Sequence, residues 1–267
     1  MPRISTAGEG HAPRAFDRCA RLAAAIGGDP AALLRSDEPG LPRGPLLPVS
    51  LADPAMTIRF RVFTHTVSLA DEDVLYKTSF DPGTLQRDFR PECGLWEQVE
   101  AGLLGRSDVE RAAACWHGDR FPGNVVLRFT ASTVAPHARD IICYWSAAGT
   151  IYGEGPRDCY VAGLGGWWAG KHGIERYPEG GWIALGPGGT LVPGQRYEVM
   201  AGRLEGWQFL FLDGRLVVEA LDPAPLDPAR FDRVGLATWA SCVLFHDLTV
   251  YRARSIDRGR DLAPCPA

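Results

Sequence analysis

The chain has 267 residues, 46% of them hydrophobic, which suits one large β domain with an extension or two small domains. Its net charge of -4 argues against nucleic acid or an anionic membrane surface as the main partner, because both select a basic stripe. No apolar run approaches the roughly 20 residues of a membrane helix.

Residues 1–56 read as an extension. Phe16 to Ile26 and Pro30 to Leu34 suit two short helices, after which Pro39, Pro42, Pro45 and Pro48 forbid regular structure. Either translation starts at Met56 and these residues are a loose addition, or the helices dock on the domain that follows. Arg18 and Arg21 interrupt the only candidate for a secretory apolar region. The seven cysteines are odd in number and scattered, without a Cys-x-x-Cys pair. Free thiols and no leader together predict a cytoplasmic protein without disulfides or a zinc site.

Strand signals begin at once after Met56. Ile58, Phe60 and Val62 alternate with Arg59 and Arg61, and Val125, Leu127 and Phe129 alternate with Val126, Arg128 and Thr130. Leu95 to Leu104 reads as a hairpin, and Ile141 to Trp145 is apolar on both parities, as in a strand covered on both faces. Tyr197 to Ala201, Gln208 to Leu212 and Leu216 to Glu219 follow, the last two joined by Asp213-Gly214, a turn that needs positive φ. Val234 to Trp239 and Val243 to Tyr251 complete the set. The apolar parity switches at His246-Asp247, which reads as a β-bulge, with His246 as a structural hydrogen-bonding residue. Many short antiparallel strands predict an all-β sandwich or jelly roll over residues 57–253, with a tail from 254 to 267.

Several of these runs resemble a known architecture. LYKTSFD (Leu75 to Asp81), LWEQVEAGLLGRS (Leu95 to Ser107), WQFLFLDGRLVVEALD (Trp207 to Asp222), RVGLATW (Arg233 to Trp239) and VLFHDLTVYR (Val243 to Arg252) resemble concanavalin A-like lectin/glucanase domains. ACWHGDRFPGNVVLRFTAS, IICYWSAAG and GEGPRDCYVAGLGGWWAGKHGIER, between Ala114 and Arg176, resemble the YesU-like family of unknown function. The resemblance implies a concanavalin A-like sandwich of two antiparallel sheets. It also implies an association with bacterial plant-polysaccharide utilisation. The family's Gly-Asp is Arg157-Asp158 here.

Asp158 to Trp182 sets Tyr160, Trp167, Trp168, Tyr177 and Trp182 among glycines and charges. An aromatic face stacks on a pyranose ring, charged groups hydrogen-bond its hydroxyls, and glycines let the backbone approach. The alternative is that the tryptophans plug the end of the sandwich. On the binding reading a concave sheet carries Arg128, Trp145 and Tyr160, and a Gly163 to Arg176 loop forms one wall. Trp167 and Trp168 add platforms, and Asp158, Lys171, Glu175 and Arg176 add polar contacts. The ligand is then an oligosaccharide or polysaccharide fragment, with no cofactor. A second reading is a glycan-cleaving hydrolase or lyase that uses His172 or Glu175 as acid and base. A third is a sandwich whose tryptophans form a homo-oligomer contact. No Glu-x-Asp-x-x-Glu, Gly-x-Ser-x-Gly, HExxH or phosphate-loop motif occurs. Asp81 and Asp247 are the residues that would contribute to a structural calcium site.

Overall fold

The computed structural model describes residues 57–62, 65–107, 111–167, 170–178 and 182–256. The expected helices and proline-rich run upstream, and the residues after 256, lie outside these. The described strands, in chain order, are β1 (Ile58–Val62), β2 (His65–Leu69), β3 (Val74–Thr78), β4 (Phe89–Cys93), β5 (Leu95–Val99), β6 (Gly102–Arg106), β7 (Ala112–His117), β8 (Val125–Thr133) and β9 (Ile141–Ala147). They continue with β10 (Cys159–Trp167), β11 (Lys171–Tyr177), β12 (Ile183–Gly188), β13 (Tyr197–Leu204), β14 (Trp207–Leu212), β15 (Arg215–Leu221), β16 (Arg233–Trp239), β17 (Cys242–Arg252) and β18 (Arg254–Ile256). One short helix, α1 (Thr84–Asp88), leads into β4.

Two antiparallel sheets form the sandwich. One has seven strands in the order β12-β11-β10-β9-β16-β7-β4. The other has eight, β15-β14-β13-β8-β17-β6-β5 with β3 also paired to β17. This is the expected all-β sandwich, and several of its details follow the sequence signals. Asp213 and Gly214 turn β14 into β15 at φ 49° and 71°. The register of β17 against β8 slips between Phe245 and Asp247. At that bulge Asp247 Oδ1 accepts the Thr130 N–H (3.0 Å), and His246 bridges the Ser132 hydroxyl (3.0 Å) and the Ala101 carbonyl (3.1 Å).

The main core lies between the sheets. Alternate residues of β8 (Val125, Leu127, Phe129, Ala131) meet Trp145, Tyr160, Leu164 and Ile174 from the seven-stranded sheet. Phe245 links Trp96 and Phe129, with ring centroids 6.1 and 5.8 Å away.

Two features depart from the expectation. A third sheet, β1-β2-β18, has its own core with the outer face of the eight-stranded sheet, where Phe60 packs edge-on against Phe209 (5.3 Å) and Phe211 (5.1 Å). β18 therefore falls in what reads as a tail. The segment from Gly163 to Arg176, expected as a loop wall, is instead a strand pair. β10 and β11 are antiparallel, with Cys159 opposite Tyr177 and Trp167 opposite Lys171.

Candidate functional site

The hairpin scatters the residues grouped as a sugar site. Trp145 and Tyr160 are not platforms: both are fully buried between the sheets, stacked on each other with centroids 5.9 Å apart. Trp145 Nε1–H donates to Gln208 Oε1 (2.9 Å), and the Tyr160 hydroxyl donates to Asp222 Oδ2 (2.7 Å). Arg128 lies on β8 in the other sheet, paired with Glu198 at 2.6 Å. Arg176 reaches Asp222 (3.1 Å) and the Ala224 carbonyl (2.7 Å), so it belongs to the Tyr160 network.

The expected acid and base are also separated. His172 and Glu175 are three apart on β11, and an odd separation on a strand puts side chains on opposite faces. His172 is buried, its Nδ1 accepting the Gly165 N–H (3.1 Å), and burial lowers its pKa. Glu175 is on the outer face. Lys171 stands at the turn end of the hairpin and Asp158 just before its open end, roughly 20 Å apart at strand rise. Trp167 lies on β10, and Trp168 is outside the described residues.

Near His172 the structure adds a carboxyl that carries no sequence signal. Asp140 has φ 66° and donates its N–H to the Leu164 carbonyl (2.8 Å). A Cβ on Gly166 would run into its carboxylate, so only glycine fits opposite it. Burial pushes Asp140 up to about 7, against the pull of Arg139 Nε at 3.4 Å. Between about pH 4 and 7 the folded chain then holds a proton that the unfolded chain has lost, so stability falls as pH rises through that window. Asp140→Asn is expected to change little at pH 4 and to stabilise by roughly 2–4 kcal/mol at pH 8. Urea unfolding of both proteins at the two pH values checks this. An equal effect at both would mean that the carboxylate is solvated.

The outer face of the seven-stranded sheet has a different character. One register row runs Ile183, Glu175, Val161, Tyr144, Gly235, Trp116, Arg90 across its strands. The Trp116 and Tyr144 rings stack at 5.0 Å and 28°. Trp116 lies over Gly235, where a Cβ would come within 2.8 Å of the ring. The connection after β9 folds onto this pair, with Ile151 joining the same apolar cluster.

Glu92 pins that connection. Its carboxylate accepts from Trp116 Nε1 (2.7 Å), Thr150 Oγ1 (2.5 Å) and the N–H groups of Ile151 (3.0 Å), Tyr152 (2.8 Å) and Gly153 (3.1 Å). Burial alone would raise its pKa, but the hydrogen bonds from Thr150, Trp116 and the backbone outweigh that and hold it below the usual range. Glu92→Ala is expected to cost about 1.5–3 kcal/mol and to speed amide exchange at Ile151 to Gly153 at least tenfold. Unchanged exchange in the variant would show that Ile151 packing, not Glu92, holds the segment.

At the Arg90 end of the row lies a cleft of about 400 Å³, within the range of small-ligand sites (roughly 300–1,000 Å³). Trp116, Gly118 and Gly149 line it, with Arg87, Arg90 and Arg233 around them. The arginines are held differently. Arg87 is spent on a two-pronged pair with Asp88 (2.8 Å each), which also accepts the Tyr76 hydroxyl (2.8 Å). Burial works against ionisation of Asp88, but those partners hold its pKa below the usual carboxylate range. Arg90 Nη1 caps the end of α1 by donating to the carbonyls of Gln86 (3.2 Å), Arg87 (3.2 Å) and Phe89 (2.7 Å). Arg233 Nη1 donates to the carbonyls of His117 (3.5 Å), Gly118 and Asp119 (3.3 Å). Among the described residues no carboxylate pairs with Arg90 or Arg233.

His117 offers the cleft only its backbone. Its side chain is buried, with Nδ1 accepting the Asp119 N–H (2.9 Å) and the ring inside a cage of Tyr76 (4.2 Å), Phe121 (5.0 Å) and Phe89 (5.1 Å). Its Nε2 has no hydrogen-bond partner, and burial lowers its pKa.

No protein-family model and no curated protein matches this sequence. Solved structures do match it. A Bacillus subtilis protein of unknown function with a galectin-like fold is 14% identical, with a TM-score of 0.55 over 67% of this chain and 96% of that one. The carbohydrate recognition domain of Emp47p is 10% identical, with a TM-score of 0.51 over 69% and 96%. A structure titled for endo-acting O-glycanases of the human gut microbiota that initiate mucin breakdown is 11% identical, with a TM-score of 0.52 over 67% and 99%. At these identities the likeness is one of fold. No helix among the described residues is long and apolar enough to cross a membrane.

Proposed function

We propose that this chain binds a carbohydrate in the cleft beside Trp116, on the outer face of the seven-stranded sheet. One observation carries the reading: the cleft sets two guanidinium groups fixed by carbonyls, with N–H donors left over, around a floor of Gly118 and Gly149 beside the edge of buried Trp116. Fixed donors around a backbone floor suit the hydroxyls of a sugar. The solved neighbours include a carbohydrate recognition domain and an O-glycanase structure, so the fold is compatible with either. The resemblance read in the sequence adds plant-wall oligosaccharides as the first ligands to try.

Binding fits this cleft better than cleavage. A glycosidase needs one protonated carboxyl and one ionised carboxylate facing the scissile bond. Here Asp88 is held ionised by Arg87 and Tyr76, and the His117 ring is turned into the core. His172 and Glu175 lie on opposite sides of their strand.

The test titrates the full chain with neutral and acidic plant-wall oligosaccharides, following tryptophan fluorescence and product release together. Quenching without product is the expected result. Product release would turn the reading to an enzyme, and no signal from any sugar would remove it.

A further inference from the structure

Arg90 and Arg233 approach one cleft from β4 and β16, on either side of Trp116 on β7. Each is fixed through Nη1 to backbone carbonyls, which orient a guanidinium but leave its charge uncompensated. Bringing such charges together costs free energy in the empty protein, and a surface arginine free to move would avoid it. The acids at the cleft do not remove the charge. Asp88 is committed to Arg87, and no ion pair links Asp119 to Arg233, which meets only its carbonyl. Nε and Nη2 of both arginines remain as donors, and Nη2 of Arg90 lies over the glycine floor, 3.7 Å from where a Cβ on Gly118 would stand. A planar fork of this kind suits a carboxylate or a sulfate oxygen pair, with a strength that a neutral hydroxyl does not match.

We propose that the cleft selects an acidic saccharide, placing a ring-borne carboxylate or sulfate on Arg90 and Arg233 over the floor of Gly118 and Gly149. This inference rests on the glycan reading above and adds the charge of the ligand to it. It also explains why an acidic chain of net charge -4 keeps unpaired cations together in one place.

The experiment measures calorimetric affinity of the full chain for four probes: trigalacturonate, its methyl ester, a sulfated galactose disaccharide and inorganic sulfate. Trigalacturonate or the sulfated disaccharide is expected to bind at least tenfold more tightly than the methyl ester, with affinity falling as salt rises. Whichever of the two binds more tightly identifies the anion. Arg233→Gln and Arg90→Gln should each weaken the acidic probe at least tenfold and remove most of its preference over the methyl ester. Equal affinity for acid and ester would overturn the acidic claim and keep the glycan reading. Binding of inorganic sulfate as tight as that of the sulfated sugar would overturn both, as would no binding by any sugar. The acid-to-ester ratio is read on the unaltered protein, so a variant that fails to fold does not leave the claim open.

Discussion

Trp145→Ala should abolish cooperative folding or come close to it. The side chain is fully buried, stacks on Tyr160 and donates its indole N–H to Gln208, itself fully buried. Truncation leaves a cavity, at about 3–5 kcal/mol, and orphans the Gln208 carbonyl oxygen, at about 1–3 kcal/mol more. That sum is comparable with the whole stability of a typical domain, about 5–15 kcal/mol. Trp145→Phe keeps most of the volume and should recover most of the first loss but not the second. Urea unfolding followed by circular dichroism measures both. A folded Trp145→Ala protein that had lost only glycan affinity would show the residue to be a ligand platform, against the structure.

Asp222→Ala should have the next largest effect. This buried carboxylate accepts the Tyr160 hydroxyl (2.7 Å), Arg176 Nη1 (3.1 Å) and the Ala224 N–H (2.9 Å). It also supports Arg203, which is buried nearby and donates to Leu226 and Glu205 carbonyls (2.7 and 2.6 Å). Burial lowers the Arg203 pKa, and Tyr160, Asp222 and Asp227 oppose that. Removing Asp222 orphans the Tyr160 hydroxyl and the Arg176 guanidinium and takes one of the acids that act on buried Arg203, which together cost about 3–5 kcal/mol. Asp222→Asn keeps an acceptor for Tyr160 and should cost about 1–3 kcal/mol. The unfolding midpoints of the two variants order these values. A loss below about 0.5 kcal/mol for Asp222→Ala would mean that water replaces the carboxylate, as it does at exposed pairs.

These two residues also show where sequence reading stops. The sandwich was legible because one face of β8 is apolar at Val125, Leu127, Phe129 and Ala131, because Asp213-Gly214 suits a tight turn, and because the apolar parity of β17 switches at its bulge. Trp145 was not, because β9 is buried on both faces, and a strand apolar on both parities does not say which side its tryptophan takes. Asp222, Arg176 and Tyr160 meet from three separate segments, so their network has no local pattern.

The β10 and β11 pair read as a loop for a physical reason. One of its glycines, Gly166, sits where a side chain would collide with Asp140, and glycine and charge break the alternation that marks a strand. The third sheet was hidden because Arg59 and Arg61 look like ordinary solvent-facing partners of Ile58 and Phe60. What Phe60 covers is another sheet, which no local signal reports. The cleft is the most dispersed feature of all. Arg90, Trp116 and Arg233 become neighbours only through the strand order β16-β7-β4.

The central claim is that ligand meets the chain at this cleft and not along the β10 and β11 pair. Hydrogen exchange of the full chain, with and without saturating trigalacturonate, tests it directly. Protection gained at Arg87 to Arg90, His117 to Asp119 and Ala148 to Gly149 is the expected result. Protection confined to Lys171 to Arg176 would contradict the account and return the site to the hairpin.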